Sequence, residues 1–226
     1  MNRQYASILT VLLLGVAPPA SAAMPPMPGL TNGDGTVANN GMKHAAISLA
    51  DTTLAVHIDT PPATPVTMMS GVGTDYTPDK FDVLEDVYFN AQYGWVPSGL
   101  FSPPAGAGIW IKRTGVTQPA GAMLRVYEGG NMTEGMAAWT MNEIYTSDGF
   151  AWQWDGAMQH DYYVADRVGD YSMLFEVYVG DASGAPLDGY TPAMTTFEFR
   201  AVPEPSTWLL AAVGVVSVVG IVRWRR

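Results

Sequence analysis

The chain has 226 residues, which is room for one substantial domain with targeting segments, and its formal net charge is −10. It contains no cysteine, which excludes disulfides, a thiol nucleophile and thiolate metal sites. All 21 acidic residues lie between Asp34 and Glu204, whereas four of the 11 basic residues lie at the two ends. This acidic middle would repel phosphates, so we expect no nucleic acid partner.

The first 22 residues have the three parts of a secretory signal peptide and are predicted to form a signal helix. A single arginine gives the positive start, residues 6–16 form a short apolar run, and small side chains follow. Ala20 and Ala22 form an A-x-A site, so we expect signal peptidase to cut after Ala22 or Ala23. An N-terminal core helix is the alternative, but the run has no polar face.

Residues 23–42 are rich in proline, glycine and asparagine, which predicts a linker. From residue 43 to residue 201 the pattern changes to short alternating segments separated by Gly- and Pro-rich turns. That pattern is typical of an all-β domain built as an antiparallel β-sandwich. The predicted strands are residues 44–49, 54–59, 81–90, 108–113, 122–128, 139–145, 150–154, 160–165, 172–179 and 195–201. Within this domain, residues 79–87 are the only segment whose pattern also fits a helix.

Five tryptophans in this domain allow two interpretations. An exposed row of aromatic rings would suggest a carbohydrate-binding module, with extracellular polysaccharide as a partner. Buried rings would instead fill the core of a domain that has no disulfides. We favour the core, although Trp152 and Trp154 share a face and would act together. The five are Trp95, Trp110, Trp139, Trp152 and Trp154.

The sequence has no recognisable catalytic signature. It lacks HExxH, GxSxG, a phosphate loop and a nucleotide-binding fingerprint. Carboxylates are numerous but scattered, so no pair is singled out for acid–base work. We therefore expect a protein that is not an enzyme.

One constellation of side chains suggests a metal site. A hairpin that turns at residues 50–53 places His44 opposite Asp59 and brings His57 to the same face. Imidazoles and carboxylates are ligands that zinc accepts, and His160 is a further candidate ligand. The alternative is that these are solvated polar side chains on an open sheet face. A register slip of one residue would separate them.

The segment 202–226, VPEPSTWLLAAVGVVSVVGIVRWRR, joins a proline-rich motif to an apolar run and a basic end. A helix over the apolar run would span about 22 Å, which is short of the ~30 Å hydrocarbon core of a bilayer. Flanking aromatic and arginine side chains can extend such a span to both interfaces. We predict one transmembrane helix at 207–222 and a cytoplasmic basic tail at 223–226. The anchor and stop residues are Trp208, Trp224, Arg223, Arg225 and Arg226.

The motif Val202-Pro203-Glu204-Pro205-Ser206, the short membrane helix and the basic tail together resemble the PEP-CTERM sorting signal of Gram-negative bacteria. The resemblance implies export, transient anchoring in the inner membrane, and processing by an exosortase-type transpeptidase. Release to the cell surface or to an extracellular polysaccharide matrix would follow. The same motif is also labelled an ice-binding protein C-terminal domain, but that label does not indicate ice binding.

A second resemblance covers most of residues 44–199. The stretches HAAISLADTTLAVHID, FNAQYGWVPSGLFSPPAGAGIWI, QHDYYVADRVGDYSMLFEVYVGDASG and TTFEF are similar to PEP-CTERM surface proteins under zinc-uptake-repressor control. The resemblance implies a surface β-domain connected with zinc supply. That family is richer in histidine and often has a His-x-His pair before the tyrosine-rich strand, where this chain has only His160.

Overall fold

The computed structural model describes residues 41–99, 102–129 and 138–203. The predicted signal peptide, most of the predicted linker, and the segment from residue 204 onward lie outside these residues. In the described ranges, we find no helix with the length and apolar character needed to cross a membrane.

Thirteen strands and a short 3-10 helix make up the described domain. The 3-10 helix is Asp79–Leu84. The strands are β1 Lys43–Ala50, β2 Thr53–Ile58, β3 Val66–Ser70, β4 Tyr88–Asn90, β5 Tyr93–Pro97, β6 Ala107–Thr117, β7 Leu124–Tyr127, β8 Glu143–Ile144, β9 Ala151–Trp154, β10 Gln159–His160, β11 Tyr162–Ala165, β12 Gly169–Asp181 and β13 Ala193–Ala201.

The strands form two sheets that share one core, in a sandwich or nearly closed barrel-like arrangement. The smaller sheet has the order β10-β5-β1-β2, and the larger has the order β8-β7-β11-β4-β3-β13-β12-β6-β9. The prediction of a β-rich fold is therefore confirmed. The sheets are not purely antiparallel, because β1 pairs with β5 and β13 pairs with β3 in parallel. Parallel neighbours need long crossover connections, which local sequence patterns do not reveal.

Aromatic side chains fill the space between the sheets. The Tyr93 ring stacks on Phe197 with centroids 4.0 Å apart, and Trp95 packs edge-on against Phe175 at 5.4 Å. The alternation of β13 explains how its half of this core forms, since every second side chain from Ala193 to Ala201 is buried.

The tryptophans favour the core interpretation. Trp95 and Trp154 belong to the main core, and Trp152 packs against it. Trp139 is 3 % exposed in a second cluster outside the larger sheet. Trp110 is half-buried on the outer face, where its indole N–H donates to the main-chain oxygen of Asp181 at 3.1 Å. These five side chains do not form an exposed row of rings.

The predicted strands at 81–90 and 139–145 were too long. Residues 79–84 form the 3-10 helix because Phe81 and Leu84, three residues apart, both point into the second cluster. Only the last three residues of the first segment, and Glu143–Ile144 of the second, are in strands. The strands β3 and β5 were not predicted.

Two further predictions concern the site. The register of the first hairpin is confirmed, since Leu49 pairs with Leu54 and Ala46 with His57. The segment predicted as one strand at 160–165 is divided between the two sheets. His160 pairs with β5 of the smaller sheet, whereas β11 pairs with strands of the larger sheet.

Candidate metal-binding site

A row of polar residues crosses the smaller sheet on its outer face. His160 pairs with Gly94, and Gly94 pairs with His44. Directly after the end of β2, the Asp59 amide donates to the main-chain oxygen of His44 at 2.9 Å. Side chains alternate along β1, and because Ala45 is buried in the core, His44 points outward. The register thus gathers two imidazoles and a carboxylate that are far apart in the sequence.

The His44 ring is oriented by Asp59. Its Nδ1 lies 2.7 Å from the Asp59 Oδ2 atom, which also accepts the His44 main-chain N–H at 3.2 Å. Because a carboxylate only accepts, Nδ1 carries the hydrogen, and Nε2 of the neutral ring keeps its lone pair. This Nε2 is buried and has no hydrogen-bond partner among the described residues.

The His160 ring is oriented by a main-chain carbonyl. Its Nδ1 lies 2.9 Å from the Ala91 oxygen, and a carbonyl likewise accepts only. His160 is 1 % exposed, and its Nε2 is also buried without a partner in the described part of the chain. Burial lowers the pKa of His160, and the neighbouring His44 lowers it further. Hydrogen bonds with the main chains of Ala91 and Tyr93 act in the opposite direction, but the net shift of the pKa is downward, so the neutral ring is favoured.

Gly94 provides the space that lets the two rings approach. A Cβ atom at this position would lie 2.5 Å from Cε1 of the His160 ring, so the ring lies directly over the glycine. The centroids of His44 and His160 are 6.3 Å apart, with an interplanar angle of 68°. Any larger residue at position 94 would displace the His160 ring.

Lys43 fixes the chain segment that carries Asp59. Its side chain lies on the inner face, 1 % exposed, and its Nζ donates to the main-chain oxygen of Asp59 at 2.8 Å and to that of Pro62. Burial lowers the pKa of Lys43, while the Asp59 charge acts in the opposite direction. The carboxylate that orients His44 is thus held by main-chain contacts as well as by its own bonds.

The four predicted ligands do not all meet. His57 is exposed at its predicted place opposite Ala46, whereas His44 and His160 approach each other. Within the described ranges, no group of three or more His, Cys, Asp or Glu side chains is arranged to hold a metal ion. What the structure shows is a pair of imidazoles oriented by Asp59 and Ala91. Local sequence patterns do not indicate the roles of Gly94 and Ala91, because these roles depend on the pairing of β5 with β1 and on the approach of His160 from β10.

A separate polar cluster lies inside the core, where the chain crosses between sheets. The Asp161 Oδ1 atom accepts hydrogen bonds from Gln159 Nε2 at 2.8 Å and from the Gly129 amide at 3.3 Å. Its Oδ2 and the hydroxyls of Tyr145 and Tyr163 are buried without partners among the described residues. Burial raises the pKa of Asp161 to about 7.

The outer-face pair has the chemistry of a metal ligand set. Imidazole ligands of metals almost always donate their other ring N–H to a carboxylate or a main-chain carbonyl. His44 does the first and His160 does the second. Both Nε2 atoms are then left as electron-pair donors toward a cation.

Comparison with known proteins supports the reading of the C-terminal segment. A family model for the PEP-CTERM protein-sorting motif matches residues 201–226. No curated protein matches the chain significantly. The motif implies export toward the cell surface and processing by an exosortase. The chain therefore carries a PEP-CTERM protein-sorting motif, as its C-terminal sequence predicted.

Proposed function

We propose that this chain is an exported, non-catalytic surface protein whose β-domain binds a transition-metal ion through His44 and His160. After removal of the signal peptide, the chain is held briefly in the inner membrane by residues 207–222. It is then processed near the Pro-Glu-Pro motif and released to the surface or the extracellular matrix. The domain acts there as a sandwich that carries the metal site on its smaller sheet.

The observation that carries the metal proposal is the pair of buried Nε2 atoms without partners among the described residues. Leaving a buried polar atom without a hydrogen bond costs about 1–3 kcal/mol. Two such atoms, in rings whose centroids are 6.3 Å apart, therefore lower the stability of the fold unless one bound group interacts with both. A cation between them would do so.

Zinc is the first ion to consider, because it accepts imidazole nitrogen and is redox-inert. The two histidines supply two of the four ligands of an ordinary zinc site. Water or another added ligand would complete the shell. Asp59 and the Ala91 carbonyl would act in the outer shell, where they fix both rings.

Equilibrium dialysis of the full-length chain against zinc and copper ions tests the proposal. We expect one ion per chain for the wild type and less than a tenth of that occupancy for His44→Ala under the same conditions. His57→Ala is the matched control, because His57 lies on the same face of the hairpin. This variant should bind metal like the wild type. Absence of binding by the wild-type chain, or unchanged binding by His44→Ala, would overturn the proposal.

A further inference from the structure

The number of ligand atoms that the protein offers at the site is the first observation that bears on the identity of the ion. In the described part of the chain, the only nitrogen lone pairs that the site offers are the two Nε2 atoms. The Asp59 Oδ2 atom is already engaged by both the ring and the main chain of His44. Structural zinc sites are almost always four-coordinate, and catalytic ones have three protein ligands. Two nitrogens are few for zinc but sufficient for an ion that prefers two ligands.

The distance between the rings is the second clue. With metal–nitrogen bonds of about 2.0 Å, a tetrahedral angle at the metal places two imidazole centroids about 5.2 Å apart. The same bonds in a linear arrangement place the centroids about 6.3 Å apart. The observed separation is 6.3 Å. Any interplanar angle, including the observed 68°, is compatible with a linear arrangement, because either ring can rotate about a linear axis without breaking its bond.

Local charge is the third clue. Both Nε2 atoms are buried, and among the residues that the structure describes, Asp59 is the one carboxylate that contacts either ring. Lys43 adds a buried ammonium group that donates to the Asp59 main chain. A divalent ion bound by two neutral imidazoles would therefore carry more positive charge than the one carboxylate offsets, which is unfavourable because both donor atoms are buried. A monovalent ion leaves one unit less of uncompensated positive charge than a divalent one.

We infer that the His44–His160 pair is a two-coordinate site for monovalent copper, with both Nε2 atoms bound in a nearly linear arrangement. This inference rests on the proposed metal-binding function and specifies its ion. Copper(I) forms linear complexes with two imidazoles, whereas zinc sites in proteins are usually four-coordinate. Silver(I) shares this chemistry and serves as a redox-inert probe of the same geometry.

The test compares ions on the same full-length chain without oxygen. Copper(I) affinity is measured by competition with a chromogenic copper(I) chelator, and zinc affinity by competition with a zinc indicator. We expect copper(I) to bind at least about tenfold more tightly than zinc, a difference of about 1.4 kcal/mol. X-ray absorption of the copper(I) form should show two nitrogen neighbours and the edge feature of linear coordination.

Variants separate the site from adventitious binding. His44→Ala and His160→Ala should each lose copper(I) and silver(I) binding, while His57→Ala should keep it. Because His160 is buried, His44→Ala decides the result if His160→Ala fails to fold. Tighter binding of zinc, or a copper(I) shell of three or four ligands, would overturn the inference and leave the metal-binding function standing. Absence of binding of every ion would overturn both.

Discussion

The ring of His160 lies directly over Gly94, where a Cβ atom would come within 2.5 Å of the ring carbon Cε1. The glycine therefore decides whether His160 can reach across β5 toward His44. Gly94→Ala should displace the ring and lower metal affinity by at least about tenfold, because two-point binding needs both nitrogens in place. The measurement is the same ion competition in wild type and variant.

Gly115→Ala is the matched control for this substitution. Gly115 also lies in a strand, but a Cβ atom there would meet nothing within 4 Å. It should leave affinity unchanged. Equal affinity of Gly94→Ala and wild type would show that His160 does not act through this approach.

Asp59 should matter to metal affinity although it does not bind the ion. Asp59→Asn removes the charge that faces His44 Nδ1, and an amide nitrogen in that place would favour the wrong tautomer. Outer-shell substitutions of this kind typically weaken metal binding by about 10- to 100-fold. Asp75→Asn, an exposed aspartate elsewhere, should have no effect. An unchanged affinity in Asp59→Asn would mean that His44 is not a ligand held by this contact.

The buried carboxyl group of Asp161 should make the free energy of unfolding depend on pH. Its pKa is about 7 in the fold against 3.8 in the unfolded chain, because burial disfavours the carboxylate. The folded state then holds a proton that the unfolded chain releases, so this contribution to stability is complete below pH 3.8. It is lost as pH rises toward and through about 7, and amounts to at most about 4 kcal/mol.

Asp161→Asn isolates this effect, because asparagine stays neutral at every pH. Urea unfolding should be followed from about pH 5 to about pH 8 with a chelator present, so that metal binding does not contribute. The free energy of unfolding of the wild type should fall more steeply over this range than that of the variant. Parallel curves would contradict a protonated Asp161 in the fold.

The sorting motif predicts a defined mature protein. Mass spectrometry of the exported chain should find a start after Ala22 or Ala23 and loss of the segment 208–226. An exported protein that keeps its arginine tail would rule out processing, while leaving the membrane hold in place. Replacing Pro203, Glu204 and Pro205 together by alanine should make the unprocessed form accumulate.

Local patterns were enough to predict part of this molecule. The alternation of apolar residues in the first hairpin defined the register that pairs His44 with Asp59, because a slip of one residue would turn the core side chains to solvent. The C-terminal motif was readable because its three parts are contiguous.

The close approach of His44 and His160 could not be predicted from local sequence patterns. It depends on β5, where Tyr93, Gly94 and Trp95 are all buried and show no alternation. It also depends on a parallel pairing between strands separated by more than 40 residues, which no local pattern encodes. His57 was selected as a ligand because it lies on the correct face, but sharing a face did not bring it to the pair.

In the proposed site, both histidines present a free Nε2 lone pair toward the same ion. Long-range proton–nitrogen NMR of the metal-free chain reads the tautomer of each ring directly. We predict the hydrogen on Nδ1 in both His44 and His160, with both Nε2 signals shifting together when one equivalent of copper(I) or silver(I) is added. A hydrogen on Nε2 of either ring, or Nε2 signals that do not respond to any ion, would contradict a metal site formed by these two histidines.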